Sequence, residues 1–153
     1  MSQKITPNLW FDGNAKDAVD YYLTVFPDSK VLSTEYYPKS VEEGLAEFQL
    51  DMAGKELVIE FELSGQHFTA INAGPDFKFT EAISFAVTCK DQEEIDYYWE
   101  KLSAVPEAEQ CGWCKDKFGL SWQIVPENMG ELMQRPNAYA NMMQMHKLII
   151  ADF

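Results

Sequence analysis

From Ile5 to Phe11 the chain alternates, with Ile5, Pro7, Leu9 and Phe11 on one side and Thr6, Asn8 and Trp10 on the other, which predicts a strand. Asp12-Gly13-Asn14 turns the chain, and Asn14 stands where a helix cap is wanted. Ala18, Val19, Tyr22 and Phe26 then recur at helical spacing, predicting a helix over Ala15 to Phe26 that Pro27-Asp28-Ser29 closes. Lys30 to Tyr37 reads as a second strand, followed by a polar connection from Lys39 to Gly44. Ala46 to Met52 alternates again, Phe48, Leu50 and Met52 against Glu47, Gln49 and Asp51, and predicts a further β segment. Val58 to Leu63 and Gln66 to Ile71 are strands joined by Ser64-Gly65, a two-residue hairpin turn, and Asn72-Ala73-Gly74-Pro75 ends the second. This half reads β-α-β-β-β with one extra β segment.

The second half repeats the plan. Ala82 to Lys90 predicts a strand, Asp91 a cap, and Gln92 to about Leu102 a helix. After Pro106, Gly112 to Lys115 and Leu120 to Val125 form a hairpin around Asp116 to Gly119. Both helices carry the same tripeptide, Asp20-Tyr21-Tyr22 and Asp96-Tyr97-Tyr98, which points to internal duplication. From Glu131 the pattern changes. Pro136 divides the segment, Asn137 is placed to cap its second part, and Tyr139, Met142, Met143 and His146 recur at helical spacing. Such a methionine-rich stripe either packs on its own domain or serves a dimer contact, where thioethers adapt well.

Composition narrows the function classes. Twelve basic residues face 25 acidic ones, a net charge of −13, which disfavours nucleic-acid and anionic membrane surfaces as partners. No apolar run approaches the roughly 18 residues of a membrane span, and the stretch through Phe11 lacks the order of a signal peptide, so a cytoplasmic location is expected. Cys89, Cys111 and Cys114 are too few, and odd in number, for a secreted disulfide framework. His67 and His146 are the two histidines, so no multi-histidine metal site is available in one chain.

Four stretches resemble a known family. Ile5 to Ala15 with Ala18 and Tyr21-Tyr22, Asn72 to Pro75 with Phe77, Ile83-Ser84-Phe85, and Cys111-Gly112-Trp113 through Asp116, Gly119 and Ser121 to Pro126 are together similar to PhnB-like proteins of the vicinal-oxygen-chelate superfamily, which includes glyoxalases and bleomycin-resistance proteins. The resemblance implies an α+β fold of two βαβββ modules with curved mixed sheets forming a cup, helices on the convex side and a C-terminal helical appendage. As one domain over 1–153, module one would span about 4–75, module two about 80–127 and the helical segment about 128–153. Metal-dependent members place His or Glu at four inward positions. By strand order these are Thr6, Thr69, Ser84 and Gln123, three hydroxyls and a neutral amide, so the resemblance implies a member without the ancestral metal. No cofactor is expected. The methyltransferase label common in this family is not carried over, because nothing resembles the glycine-rich turn of common methyltransferases.

Hairpin arithmetic assigns faces. With Ser64-Gly65 as the turn, Glu62 opposes His67, Phe61 opposes Phe68 and Glu60 opposes Thr69. Phe61 and Phe68 then lie under the helix, and Glu60, Glu62, His67 and Thr69 face the cup. That patch reads either as an acid–base or metal site or as a solvated face with a cross-strand pair worth about 0.2–1 kcal/mol. In the second hairpin, Lys115 opposite Leu120 places Trp113 and Trp122 under the helix, and Cys114, Ser121 and Gln123 in the cup. Cys111-Gly112-Trp113-Cys114 has redox-motif spacing, but in a strand residues three apart point to opposite faces, so no disulfide is expected. Trp10, with Thr6 and Asn8 beside it, is the stacking aromatic of the cup or a core tryptophan at a strand end.

The cup-lining set is therefore Thr6, Asn8, Trp10, Thr69, Ser84, Cys114, Ser121 and Gln123, and the catalytic candidates are Glu60, Glu62 and His67. The expected function is small-molecule binding without a metal by a homodimer to which Tyr139 to Ile150 contributes. A metal- or carboxylate-dependent enzyme and a ligand-free structural or regulatory dimer are the alternatives.

Overall fold

The computed structural model describes residues 3–153, which divide into two compact units, the first ending at Lys78 and the second running from Phe79 to Phe153. Both are α+β with a small mixed sheet.

In the first unit, strand β1 (Asn8–Asp12) leads into helix α1 (Ala15–Val25), then β2 (Lys30–Tyr36), β3 (Glu56–Leu63) and β4 (Gln66–Ala73). The sheet order is β1-β4-β3-β2, with β1 parallel to β4 and the other pairs antiparallel. Ala15, Ala18, Val19, Tyr22 and Val25 make the buried stripe of α1, which packs on β3 and β4. Phe61, Phe68 and Ala70 meet it from the sheet, and the Phe61 and Phe68 rings stack with centroids 5.5 Å apart. Such a pair adds about 0.5–1.5 kcal/mol beyond its buried area. Irregular register at Val31/Ser33 and Glu35/Tyr36 bends the edge strand β2, a common protection of an open edge.

The second unit runs β5 (Ser84–Cys89), helix α2 (Gln92–Leu102), β6 (Trp113–Lys115) and β7 (Ser121–Pro126), in sheet order β5-β7-β6 with β5 parallel to β7. This sheet has three strands. A 3-10 turn at Pro106–Ala108 occupies the stretch between α2 and β6 where the first unit has β2. The short helices α3 (Met129–Leu132) and α4 (Ala138–Met142) follow. Leu132, Ala138, Met145, Leu148 and Phe153 bury themselves together, with Val125, Met129, Met133, Met142 and Ile150 against them. Gln92 ties this tail to α2, donating to the Leu148 carbonyl and accepting from the Ile150 amide, at 3.0 and 2.8 Å. The tail is thus part of the second core.

Several local expectations are corrected. Ala46 to Met52 is a 3-10 helix from Glu47–Met52, in which Phe48 and Leu50 are exposed and Met52 alone is buried. Asn14 makes no side-chain cap. Asn72, buried in β4, accepts from the Ala15 amide instead, and donates to the Glu56 carbonyl. Asp91 does cap α2, accepting from the Glu94 amide at 2.9 Å. Asn137 lies in the left-handed region and its side chain caps nothing.

The second hairpin is shifted by one residue from its expected register. Lys115 pairs with Ser121, Cys114 with Trp122 and Trp113 with Gln123. The cause is Asp116. Its buried carboxylate accepts from the amides of Phe118 and Leu120 and from the Trp122 indole, at 2.8, 3.1 and 2.8 Å. Drawing in those donors sets Asp116 opposite Leu120 and leaves a three-residue loop ending in Gly119 at φ +90°, the position a glycine serves in such loops.

Candidate functional site

Strand parity divides each sheet into a helix-covered face and an opposite face, and most of the singled-out residues fall on the latter. In the first unit Glu60 pairs with Thr69 and Glu62 with His67, while β1 sets Asn8 beside Thr69 and Trp10 beside Ile71. Residues at one register position project to the same side. Glu60, Glu62, His67, Thr69, Asn8 and Trp10 therefore share a face. Thr6 precedes β1, and its carbonyl accepts from the Asn8 side chain at 2.9 Å. Glu62 Oε1 lies 3.4 Å from His67 Nε2, and Glu60 accepts from the Ser33 hydroxyl at 3.0 Å.

Trp10 is the central residue of β1. Its indole donates to the Gly74 carbonyl at 2.8 Å, and its ring meets Phe77 edge to face with centroids 4.8 Å apart. It lines a cavity of about 530 Å³ with Asp12, Asp51, Asp76, Lys55, Tyr37 and Phe48. Tyr37 is itself buried and its hydroxyl donates to the Asn72 carbonyl at 2.6 Å. Burial raises its pKa, with a smaller contribution from Asp51. Neither Thr6, Asn8 nor Thr69 reaches this cavity.

In the second unit Ser84 pairs with Ser121, and Gln123 with Ala86 on one side and Trp113 on the other. The Gln123 amide donates to Ser84 Oγ at 2.9 Å. Ser121 Oγ is buried without a hydrogen-bond partner among the described residues. Cys114 is a correction: in the observed register it shares the face of Trp122, is 1% exposed, and lies in the core. Burial pushes its thiol up to about 12, with Asp116 and Glu109 adding to the shift. Trp113 moves the other way, from the helix side to the face of Gln123.

Trp113 and Gln123 line a second cavity, of about 600 Å³, with Gln110, Cys111, Val125, Met129, Tyr139, Met142 and Met143 among the other walls. Among the described residues, no charged side chain lines it. Its sulfur-bearing wall comes from α3, α4 and the turn before β6. The methionine stripe is legible in the sequence, but its use as a cavity wall is not. Cys111 and Cys114 are free thiols, and Cys111 lies at φ 50° in the turn before β6 and not in the strand.

Two such units, each a small mixed sheet with its helix on one side, define the vicinal-oxygen-chelate class. At the level of fold the chain is similar to the fosfomycin resistance protein FosX of Listeria monocytogenes (14% identity, 88% of this chain and 99% of that one, TM-score 0.55). It is likewise similar to protein PA1353 of Pseudomonas aeruginosa (17% identity, 82% and 98%, TM-score 0.56). Residues 3–125 match the family model described as 3-demethylubiquinone-9 3-methyltransferase, and the chain belongs to this family, the PhnB-like branch of the superfamily. The PhnB protein of Bacillus cereus is 34% identical over 81% of this chain and 99% of its own, with a TM-score of 0.64. No curated protein matches the chain.

Proposed function

We propose that the chain binds a small uncharged organic molecule on the sheet face opposite the helix, and that it does so without the metal used by other superfamily members. The observation that carries this reading is the charge-free cavity of the second unit, about 600 Å³ in a chain of net charge −13. Small-molecule sites are typically apolar hollows of this order with a few placed polar groups. Here the Trp113 ring offers a stacking surface, and the Gln123 amide offers neutral hydrogen bonds.

The implied metal does not fit the residues present. Thr6, Thr69, Ser84 and Gln123 supply neutral oxygens, whereas zinc, nickel or iron is held by imidazole, thiolate or carboxylate. Gln123 already spends an N–H on Ser84. Methyl transfer, the activity in the family's description, is not adopted either. The β1–α1 turn carries Gly13 alone, and neither sheet is the parallel, doubly wound kind that cradles a nucleotide cofactor.

A second reading, carboxylate-dependent catalysis, is favoured by the Glu62–His67 approach of 3.4 Å on the face shared with Glu60. It would require loss of turnover in Glu62→Gln with binding intact. The proposal includes a homodimer using Tyr139 to Ile150, where Tyr139 and Met143 remain exposed, and a cytoplasmic location, consistent with three free thiols.

The deciding experiment is ligand-observed NMR with a panel of neutral and anionic aromatic compounds. Neutral members should bind saturably, and Trp113→Ala and Gln123→Ala should each abolish the effect. Binding that survives Trp113→Ala overturns the site.

A further inference from the structure

Four sulfur-bearing residues line the charge-free cavity: Cys111, Met129, Met142 and Met143. Cys111 Sγ and Met143 Sδ lie 3.7 Å apart. Gln110 ties Cys111 to the Met143 backbone, its amide nitrogen donating to Cys111 Sγ and to the Met143 carbonyl, both at 3.1 Å. The turn is also fastened through its backbone, the amides of Cys111 and Gly112 donating to the carbonyls of Met145 and His146 at 2.8 Å.

We propose that this cluster is a binding site for a monovalent soft cation, Cu(I), with Cys111 as thiolate ligand and Met143 as thioether ligand, completed by Met142 or Met129. Thiolate and thioether donors select Cu(I) over harder ions. Metal–sulfur bonds of about 2.3 Å set two sulfurs roughly 3.8 Å apart at a tetrahedral centre, close to the observed separation. Charge selects the oxidation state. One thiolate among neutral thioethers balances a single positive charge, whereas a divalent ion would leave net charge in a cavity with no carboxylate on its wall. Binding exchanges the thiol proton for the cation: the S–H bond breaks, the S–Cu(I) bond forms, and the proton goes to solvent with no change of oxidation state. Gln110 is a positioning residue, tying the Cys111 sulfur to the Met143 backbone and donating to the thiolate. The other two thiols do not compete, since Cys89 and Cys114 are buried, at 0% and 1% exposure.

This site stands independently of the small-molecule reading, which depends on Trp113 and Gln123. The test is an anaerobic titration of the whole chain with Cu(I) against a chromophoric Cu(I) chelator. One equivalent should bind, more tightly as pH rises, with a thiolate-to-metal ultraviolet band and a sulfur-only coordination shell by X-ray absorption. Cys111→Ser should remove both signals. Met143→Leu, at a half-exposed position that tolerates the change, should weaken binding by more than the roughly tenfold cost of losing an outer-sphere partner. Trp113→Ala should leave Cu(I) binding in place, which separates failure of this proposal from failure of the organic-ligand site. Cu(I) affinity unchanged in Met143→Leu would reduce Cys111 to an ordinary surface thiol and overturn the proposal. So would a Zn(II) affinity equal to that for Cu(I).

Discussion

The two units share a helix-on-sheet core, and each buries a hydrogen-bonded polar side chain in it, but to different ends. In the first, Asn72 reaches from β4 to the start of α1 and accepts from its first amide, that of Ala15, while Asn14 makes no side-chain cap. In the second, α2 has a local cap in Asp91, and the buried Asp116 instead gathers three donors to close the β6–β7 hairpin. The hollows differ as much. The first, walled by the 3-10 segment Glu47–Met52 and the loop after β4, carries Asp12, Asp51, Asp76 and Lys55. The second, walled by the turn before β6 and by α3 and α4, carries no charge. Matching cores thus hold dissimilar chemistry because the walls come from the insertions, which the shared helix-and-sheet packing leaves free to differ. One core can host many sites for this reason.

Removing the buried anchors breaks the comparison most severely. Asp116→Ala strands three donors in the interior, and chemical denaturation should show a loss of about 3 kcal/mol or more. A loss under ~1 kcal/mol would mean the hairpin register is held by something other than this carboxylate. Gly112→Ala comes next. Gly112 sits at φ +88°, and an added Cβ would lie 3.0 Å from Leu148 carbons and 3.1 Å from the Ile124 carbonyl oxygen. A cost of about 2–3 kcal/mol is expected in the melting transition, confined to the second unit if the units unfold separately. Asn72→Ala should cost about 2 kcal/mol through two lost buried hydrogen bonds, read by denaturation of the first unit.

The sharpest contrast is the smallest. Asp91→Ala should cost about 1 kcal/mol, and Asn14→Ala only a few tenths, roughly the effect of a surface change. Equal costs at the two positions, measured side by side by thermal unfolding, would erase the distinction between a local cap and a long-range one.

The β3–β4 hairpin was legible because its turn is local. Ser64 and Gly65 both take positive φ, 47° and 87°, and this turn sets Leu63 against Gln66 and every pair beyond. The β6–β7 hairpin was not, because its register depends on an aspartate whose partners lie two, four and six residues away and must be buried together. Trp113 and Cys114 exchanged faces in consequence, as a one-residue slip requires. Ala46 to Met52 shows a different failure. Alternation specifies a period, but a strand also needs a neighbour's edge, and with β2 already at the sheet's outer edge beside β3, Phe48 and Leu50 remain exposed on a 3-10 segment.

What the sequence determined by itself was set by interactions between near neighbours. Helical spacing gave α1 and α2, the cap at Asp91 started the second of them, and Ser64-Gly65 fixed the register that puts Glu60, Glu62, His67 and Thr69 on one face. Tertiary structure decided the rest: Asn72 as the cap of a distant helix, Asp116 as the arbiter of the second hairpin, and the methionine tail as a cavity wall. Each of these depends on a buried group finding partners that only the assembled core brings within hydrogen-bond or van der Waals reach, and no period along the chain encodes that meeting.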